Sequence, residues 1–278
     1  MTEKITLTGP QETLLATLYG RALDAAQPKP LLNDTWAAET VRKIDYDFAG
    51  KTGIGVAECS SVSLRARTLD NWTADFLARH AEAPVTVVHL ACGLDARCLR
   101  VAHGAGVRWV DVDLEDVVSL RKRLFPAIEG DYSLMAGSAT DVDAWLGDIP
   151  ADRPTVVVME GLTMYLREQE GRRLLEGIVE RFGAAGGEVI CDAFGGFAIK
   201  MQGFIKAVKN SGSVLYWAID DPHVLETWCE GKLRLAEDQL TIGMMGVEEL
   251  PLSVRVRAWV GSNIPYVRES GRLLRYEF

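Results

Sequence analysis

Little in this sequence marks a specialised chain, and each absence removes a class. No apolar run approaches the roughly 20 residues that a membrane helix needs; the longest, at 155–159 and 214–219, are a handful of residues each. The opening MTEKITLTGPQETLL has neither a basic start nor an apolar stretch with a small-residue cleavage site, so no export is expected. Cysteine is scarce. Cys59, Cys92, Cys98, Cys191 and Cys229 are scattered, odd in number and free of any CxxC, which favours reduced thiols in a cytoplasmic setting over a disulfide framework, and no metal site is expected. Positive charge is in deficit, 30 Lys and Arg against 39 Asp and Glu, for a net charge of -9. Nucleic acid and anionic membrane are disfavoured as partners, because both need concentrated positive charge. Small-molecule substrates and a homo-oligomer stay open. Repeats, low-complexity tracts and Ser/Gly linkers are missing as well. What remains is 278 residues, 48% apolar and 25% charged, enough for one large core, and a single domain over 1–278 is expected.

The character of the chain changes along its length. Residues 12–26 place Leu14, Leu15, Leu18, Tyr19 and Ala22 at helical spacing, and 36–44 and 64–80 repeat the pattern, so 1–80 should be a helical N-terminal region. Short β-branched runs then take over at 85–90 (VTVVHL), 107–112 (VRWVDV), 132–136, 155–160 (TVVVME) and 188–192 (EVICD). Helical stretches alternate with them at 95–102, 114–124, 141–146 and 168–182. Such alternation predicts βαβ units and a mostly parallel α/β sheet with helices on both faces, over 81–192. Ligands on these sheets bind beyond the carboxyl ends of the strands. After Asp192 the alternation stops. Residues 193–236 carry Gly195, Gly196, Gly203 and Gly212 among Phe, Trp and Met; the expectation is a helical cap or lid, or else one more layer of core helices. Residues 237–278 should supply closing strands, with GRLLRYEF (271–278) as an edge strand.

The strongest local signal is VTVVHLACGLDAR (85–97), a buried strand entering a small-residue turn and then a helix. A dinucleotide site wants G-x-G-x-x-G, so that backbone can approach a pyrophosphate; here the three positions are Ala91, Gly93 and Ala96. One glycine out of three weakens a pyrophosphate reading and suits a cofactor without phosphates. Asp113 closes the next strand 20 positions after Gly93, where an acid would accept from both ribose hydroxyls. Together they point to an adenosine-containing ligand.

These residues and their neighbours resemble a known family. TLLATLYGRALDA (13–25), IDYDF (44–48), SLRARTLDNWTADFL (63–77), VVHLACGLDAR (87–97), VRWVDVDLEDVVSLRKRLFP (107–126), VVMEGLTMYL (157–166), YWAIDDPHVLETW (216–228) and the GRLLRYEF tail are similar, in order, to the leucine carboxyl methyltransferase family of class I S-adenosylmethionine-dependent methyltransferases, in its polyketide-tailoring, tetracenomycin-type O-methyltransferase branch. The resemblance spans nearly the whole chain. It implies a Rossmann-like class I fold with a seven-stranded, mostly parallel sheet, an N-terminal helical extension and a cap. The family turn usually reads G-A-G-L-D-T-R, and this chain departs from it at Ala91, Cys92 and Ala96. A methyl at Ala91 would crowd the backbone's approach to the cofactor, and the missing threonine at Ala96 removes a local hydrogen bond.

The resemblance also implies roles. Arg65 would grip the methionine carboxylate, as a guanidinium fork can, with Arg67 a weaker candidate on another helix face. Ala91 and Gly93 would let backbone approach the cofactor, and Asp113 with Leu114 would meet the ribose side. Ser138 and Ala139 would contact adenine, with Asp141 in reach only if it turns back. Glu160 would lie beside the methionine amine or the reacting centre, while Asp95 and Arg97 would form an internal ion pair or cap. Tyr165 would line the acceptor pocket or serve as a core tyrosine. His223, alone among four histidines in falling within the supposed cap, is the candidate general base or substrate contact, or else a surface residue. The implied reaction is O-methylation of a small molecule, a polyketide or other secondary metabolite, at a carboxylate or a hydroxyl, leaving S-adenosylhomocysteine. A protein's terminal carboxylate is the alternative acceptor, and a non-catalytic adenosylmethionine-binding protein a second alternative. A nicotinamide oxidoreductase on a similar sheet is disfavoured by the missing glycines.

Overall fold

Seven strands form one sheet in the computed structural model, which describes residues 3–5, 9–243, 247–250 and 252–278. They are β1 (Val85–Leu90), β2 (Val107–Asp113), β3 (Asp131–Ala136), β4 (Thr155–Met159), β5 (Gly187–Phe194), β6 (Arg234–Leu240) and β7 (Gly271–Glu277). Their order is β3-β2-β1-β4-β5-β7-β6. Strands β1 to β5 run parallel, and β7 is antiparallel to both its neighbours. Helices α1 (Pro10–Ala25), α2 (Thr35–Lys43), α3 (Phe48–Thr52) and α4 (Val56–Arg79) precede the sheet. Helices α5 (Arg97–Arg100), α6 (Glu115–Leu124) and α7 (Glu168–Phe182) fall between its parallel strands, α8 (Gly196–Lys200) and α9 (Lys206–Ser211) follow β5, and α10 (Leu252–Ser262) and α11 (Pro265–Arg268) separate β6 from β7. Among the described residues no helix is long and apolar enough to cross a membrane.

The apolar runs explain this arrangement. Every residue of β1 and β4 is buried, as inner strands covered on both faces require. Successive side chains point to opposite faces. Val87, Val156 and Val158 therefore meet Leu69, Trp72 and Phe76 of α4, while Val88, Val110 and Val157 meet Leu174, Ile178 and Phe182 of α7. A third cluster joins Leu15 and Leu18 of α1 to Leu94 and to Leu120 and Leu124 of α6. It seats the N-terminal helices against the turn that follows β1. From β1 the chain runs outward to β2 and β3, then crosses back to β4 on the other side of β1. That reversal opens a crevice at the carboxyl ends of the central strands.

Four details differ from expectation. The helix expected at 95–102 is the single turn α5, because Ala91 and Gly93 take positive φ and the turn they make extends through Ala96. The one expected at 141–146 is two 3-10 turns, Val142–Ala144 and Leu146–Asp148, separated by Trp145. The GRLLRYEF tail is an interior strand rather than an edge. Leu273, Leu274 and Tyr276 are fully buried, and its two arginines are neutralised, Arg272 by Asp238 and Arg275 by Glu188, Glu237 and Asp75. Finally, β6 starts at Arg234, inside the stretch expected as lid, and α10 and α11 occupy much of the stretch expected as closing strands.

Gly171 shows how closely the cap packs on α7. Alanine is ordinarily better than glycine inside a helix by about 1 kcal/mol. Here a Cβ would stand 2.1 Å from Trp217 Cζ3, and Trp217 is buried and stacked on Trp228 with centroids 5.7 Å apart. Gly171→Ala should therefore destabilise the fold by about 1–3 kcal/mol, seen as a lower urea midpoint. A higher midpoint would show that Trp217 has room to yield.

Candidate functional site

The crevice is a cavity of about 540 Å³ lined from the ends of β1, β2 and β4 and from α1, α4 and α9. That volume falls in the range of small-molecule sites. Its floor is the turn after β1. Ala91 and Gly93 both lie in the left-handed region, at φ 53° and 51°, and a Cβ on Gly93 would meet Leu14 of α1 at 3.5 Å. The turn is held by Asp113 at the end of β2, whose Oδ2 accepts from Gly93 N at 2.6 Å and whose Oδ1 accepts from Leu114 N at 2.7 Å. A carboxylate has about four lone-pair sites, so each oxygen retains one for a ligand hydroxyl. Burial raises the Asp113 carboxyl, and the two N–H donors offset part of that rise.

Leu114 follows on the cavity wall with 41% exposure. Across from it, Ser138 and Ala139 line the cavity after β3. Their backbone is fixed because Trp145 Nε1 donates to Ser138 O at 2.9 Å, and at Gly137 a Cβ would fall 2.6 Å from the same indole. The Ser138 hydroxyl lies 2.9 Å from that of Thr140. Asp141 is not part of the lining.

The opposite end is ionic. Glu160, directly after β4, is buried among three arginines. Arg21 of α1 donates to Oε1 at 2.8 Å, Arg65 of α4 to Oε1 at 3.1 Å, and Arg97 to Oε2 at 2.5 Å. Burial alone would raise this carboxyl, but Arg21, Arg65 and Arg97 outweigh it and hold the group ionised, below its ordinary range. Arg65 shares a helical stripe with Leu69, Trp72 and Phe76, which aims it at the strand ends; Arg67 points elsewhere and pairs with Glu249 at 3.0 Å. Asp95 and Arg97 form an internal ion pair at 3.4 Å, and Arg97 is fully buried between Asp70, Asp95 and Glu160.

Tyr165 reaches the cavity, with its hydroxyl 3.2 Å from that of Thr13. Burial raises its phenol above the ordinary value. His223 does not reach it. The histidine stands in a 3-10 turn, 68% exposed, with Nδ1 2.8 Å from Glu226 Oε2, and that carboxylate raises its pKa. The cap therefore brings Ile205, Ala207 and Val208 to the cavity in place of the expected base.

Two contributors were not singled out from sequence. Arg21 looks like any helical arginine, yet it stands one turn after Leu18 on the buried stripe of α1 and is 4% exposed; a cation on an apolar stripe was the available signal. Asp192, on β5, accepts from Arg65 Nη1 at 2.8 Å and from Gly161 N at 2.6 Å. Its signal was the one that marked Asp113 and Glu160, an acid closing a β-branched run.

Known proteins share this plan. The family model described as leucine carboxyl methyltransferase matches residues 15–179. The chain is 41% identical over 281 aligned residues, covering all of both chains, to the tetracenomycin polyketide synthesis O-methyltransferase TcmP of Streptomyces glaucescens. It is also 41% identical over 245 residues to the S-adenosyl-L-methionine-dependent methyltransferase dpfgK of Gibberella zeae, covering 82% of this chain and 81% of that one. In fold it is similar to the crystal structure of a DUF574 family protein from Streptomyces avermitilis, with a TM-score of 0.57, 11% identity and 97% of each chain covered. With the glycine turn, Asp113 and Glu160 all inside the matched residues, the chain belongs to the leucine carboxyl methyltransferase family.

Proposed function

We propose that this protein is an S-adenosylmethionine-dependent O-methyltransferase whose acceptor is a small molecule bearing a carboxylate, of polyketide or related type. The cofactor reading rests on the fit of the residues present. The Asp113 oxygens are preset by the turn for vicinal hydroxyls, Ser138, Ala139 and Leu114 wall the adjoining space, and the Glu160 and Arg65 cluster offers both charges that a methionine end requires. When bound, the cofactor supplies an electrophilic methyl on a sulfonium.

One observation carries the acceptor reading. Among the described residues, the carboxylates, the histidine and the tyrosine lining the cavity already hold partners, and burial pushes the Cys92 thiol well up, away from ionisation. Glu160 and Asp95 face arginines, Asp113 holds two backbone N–H groups, and Glu58 accepts from Gly55 N at the start of α4. His89 is buried with Nε2 accepting from Arg97 at 3.1 Å and Nδ1 facing Asp111 at 3.4 Å. Tyr165 is shifted upward, away from ionisation. A phenol or alcohol would have to give its proton to a group that already holds another partner, whereas a carboxylate is ionised at neutral pH and needs no base. The chain's task is then alignment and exclusion of water. Leu14, Met164, Phe194, Ile205 and Val208 provide an apolar wall, and holding nucleophile and methyl in line can supply most of the acceleration.

Asp113→Ala removes a charged acceptor at the ribose position and also frees the turn. Cofactor affinity should fall by about tenfold to a hundredfold, measured by calorimetry; wild-type affinity would reject the assignment. His223→Ala should leave both cofactor affinity and turnover of a carboxylate acceptor within about twofold of wild type, since an exposed ion pair contributes little, and a large loss of turnover would restore it as a base. Ala91→Gly relieves a left-handed alanine and should raise stability by up to about 1 kcal/mol, checked by thermal unfolding.

A further inference from the structure

The ion network around Glu160 does not balance. From one end to the other it joins Asp192 to Arg65, Arg65 to Glu160, Glu160 to Arg21 and Arg97, these to Asp95, and Asp95 through Arg100 to Asp70 and Asp34. Four guanidiniums thus face five carboxylates, and no side chain in the set is more than 16% exposed. Arginine stays charged. His89 offers Nε2 to Arg97 as an acceptor, and its other ring nitrogen faces Asp111, outside this set. Among the described residues no lysine lines the cavity. A buried carboxylate without a countercharge either takes up a proton or awaits a cation.

The surplus falls at the ends of the network, and the end beside the cavity is Asp192. Glu160 meets three arginines, Asp95 three and Asp70 two. Asp34 meets one, at the far end of the network, and caps α2 through Ala37 N. Asp192 also meets only one, Arg65, and shares it with Glu160. The groups facing Asp192 are Arg65 from α4, Glu160 and the Gly161 N–H after β4, Tyr165 in the next turn and the neighbouring Cys191. From β7 its partner is the apolar Leu273. Burial raises this carboxyl, Arg65 lowers it and Glu160 raises it again.

Resting on the proposed cofactor, we propose that Asp192 is a positioning residue that carries the surplus charge of the cofactor pocket, protonated when the pocket is empty and ionised when the cationic cofactor is bound. S-adenosylmethionine carries an ammonium, a sulfonium and a carboxylate, so it brings one net positive charge to a network short of one. S-adenosylhomocysteine lacks the sulfonium and brings none. Asp192 itself does not line the cavity. It acts through Arg65, whose Nε and Nη2 face Glu160 while Nη1 faces Asp192. The guanidinium is pinned along both edges, with one hydrogen on each terminal nitrogen left for a ligand carboxylate.

The sign follows from linkage. A cation favours ionised Asp192, so binding releases a proton and affinity rises with pH until the empty-site group is itself ionised. The test is calorimetry of the full chain with S-adenosylmethionine from pH 5 to 7, each point in two buffers of different ionisation enthalpy. Wild type should show a buffer-dependent heat corresponding to proton release, with Kd tightening up to tenfold per pH unit at the acid end. S-adenosylhomocysteine should show a shallower slope. Gly161 N donates to Oδ1 and Arg65 Nη1 to Oδ2, so Asp192→Asn keeps only one of these contacts through its amide oxygen; it should bind more weakly, but with a flat pH profile and buffer-independent heat. A merely structural role would weaken binding equally at every pH and keep the wild-type slope in the variant, which would overturn the proposal. So would a buffer-independent heat and flat Kd in wild type, a result that needs no variant and leaves the cofactor reading standing. Absence of any S-adenosylmethionine binding would instead overturn the cofactor reading as well.

Discussion

Three helices that share no strand with one another converge on a single carboxylate. Glu160 receives Arg21 from α1, Arg65 from α4 and Arg97 from α5, so the N-terminal helices and the first crossover are tied to the end of β4 at one point. Desolvating such a cluster is costly, and a well-packed apolar substitute is often no less stable. Removing one member is different, because it leaves an uncompensated buried charge at about 3–5 kcal/mol. The cluster is therefore better understood as a device for geometry than as a source of stability. It places α1 and α4, whose apolar faces could tolerate small slides, in one register against the strand ends. The cavity exists because that register leaves Leu14 and Arg65 on its walls.

What the sequence disclosed, and what it hid, follow from the range of the interactions. The β1 turn, Gly93 and Asp113 were legible because strand, turn and next strand end lie within about 30 residues, and backbone chemistry dictates their types. The sheet order beyond β4 was less so. GRLLRYEF alternates and ends the chain, which reads as an edge, yet its arginines are silenced by Asp75, Glu188, Glu237 and Asp238, acids contributed from distant segments. No local pattern announces such a cancellation. Arg21 was hidden for the same reason: its partners, Asp95 and Glu160, lie far along the chain. Arg65 stood out only through the family resemblance, since helical spacing alone cannot separate a buried arginine from a solvated one.

The histidine in the cap illustrates the converse error. His223 drew notice because it is a titratable residue in a loop near aromatic side chains, yet Pro222 and Asp221 start a 3-10 turn that turns it outward toward Glu226. The same segment turns Leu225 inward, to the cluster with Trp217 and Tyr276. Its service is to the core between the sheet and α7, and the cavity wall is left to α9. A transfer to an ionised oxygen needs no proton removed, so losing the only candidate base from the cap leaves the chemistry intact.

The cavity thus has two ends built on different principles. The ionic end draws on strand termini and on α4 and α5, where each group has several partners and a substitution disturbs all of them. The apolar end draws on α9, Phe194 and the turn after β4, where, apart from the hydrogen bonds of Thr163 and Tyr165, side chains meet through packing and can be exchanged at modest cost. On the proposed function, acceptor preference is free to drift on the second set while the ionic end stays unchanged, the usual division between scaffold and loop. Helix α1 is the exception. It sends Arg21 inward to Glu160 and presents Thr13, Leu14 and Thr17 to the cavity, with Thr13 touching Tyr165. A change in the apolar end that moved α1 would disturb the ionic end too, so this helix couples the shape of one end of the cavity to the charge arrangement of the other.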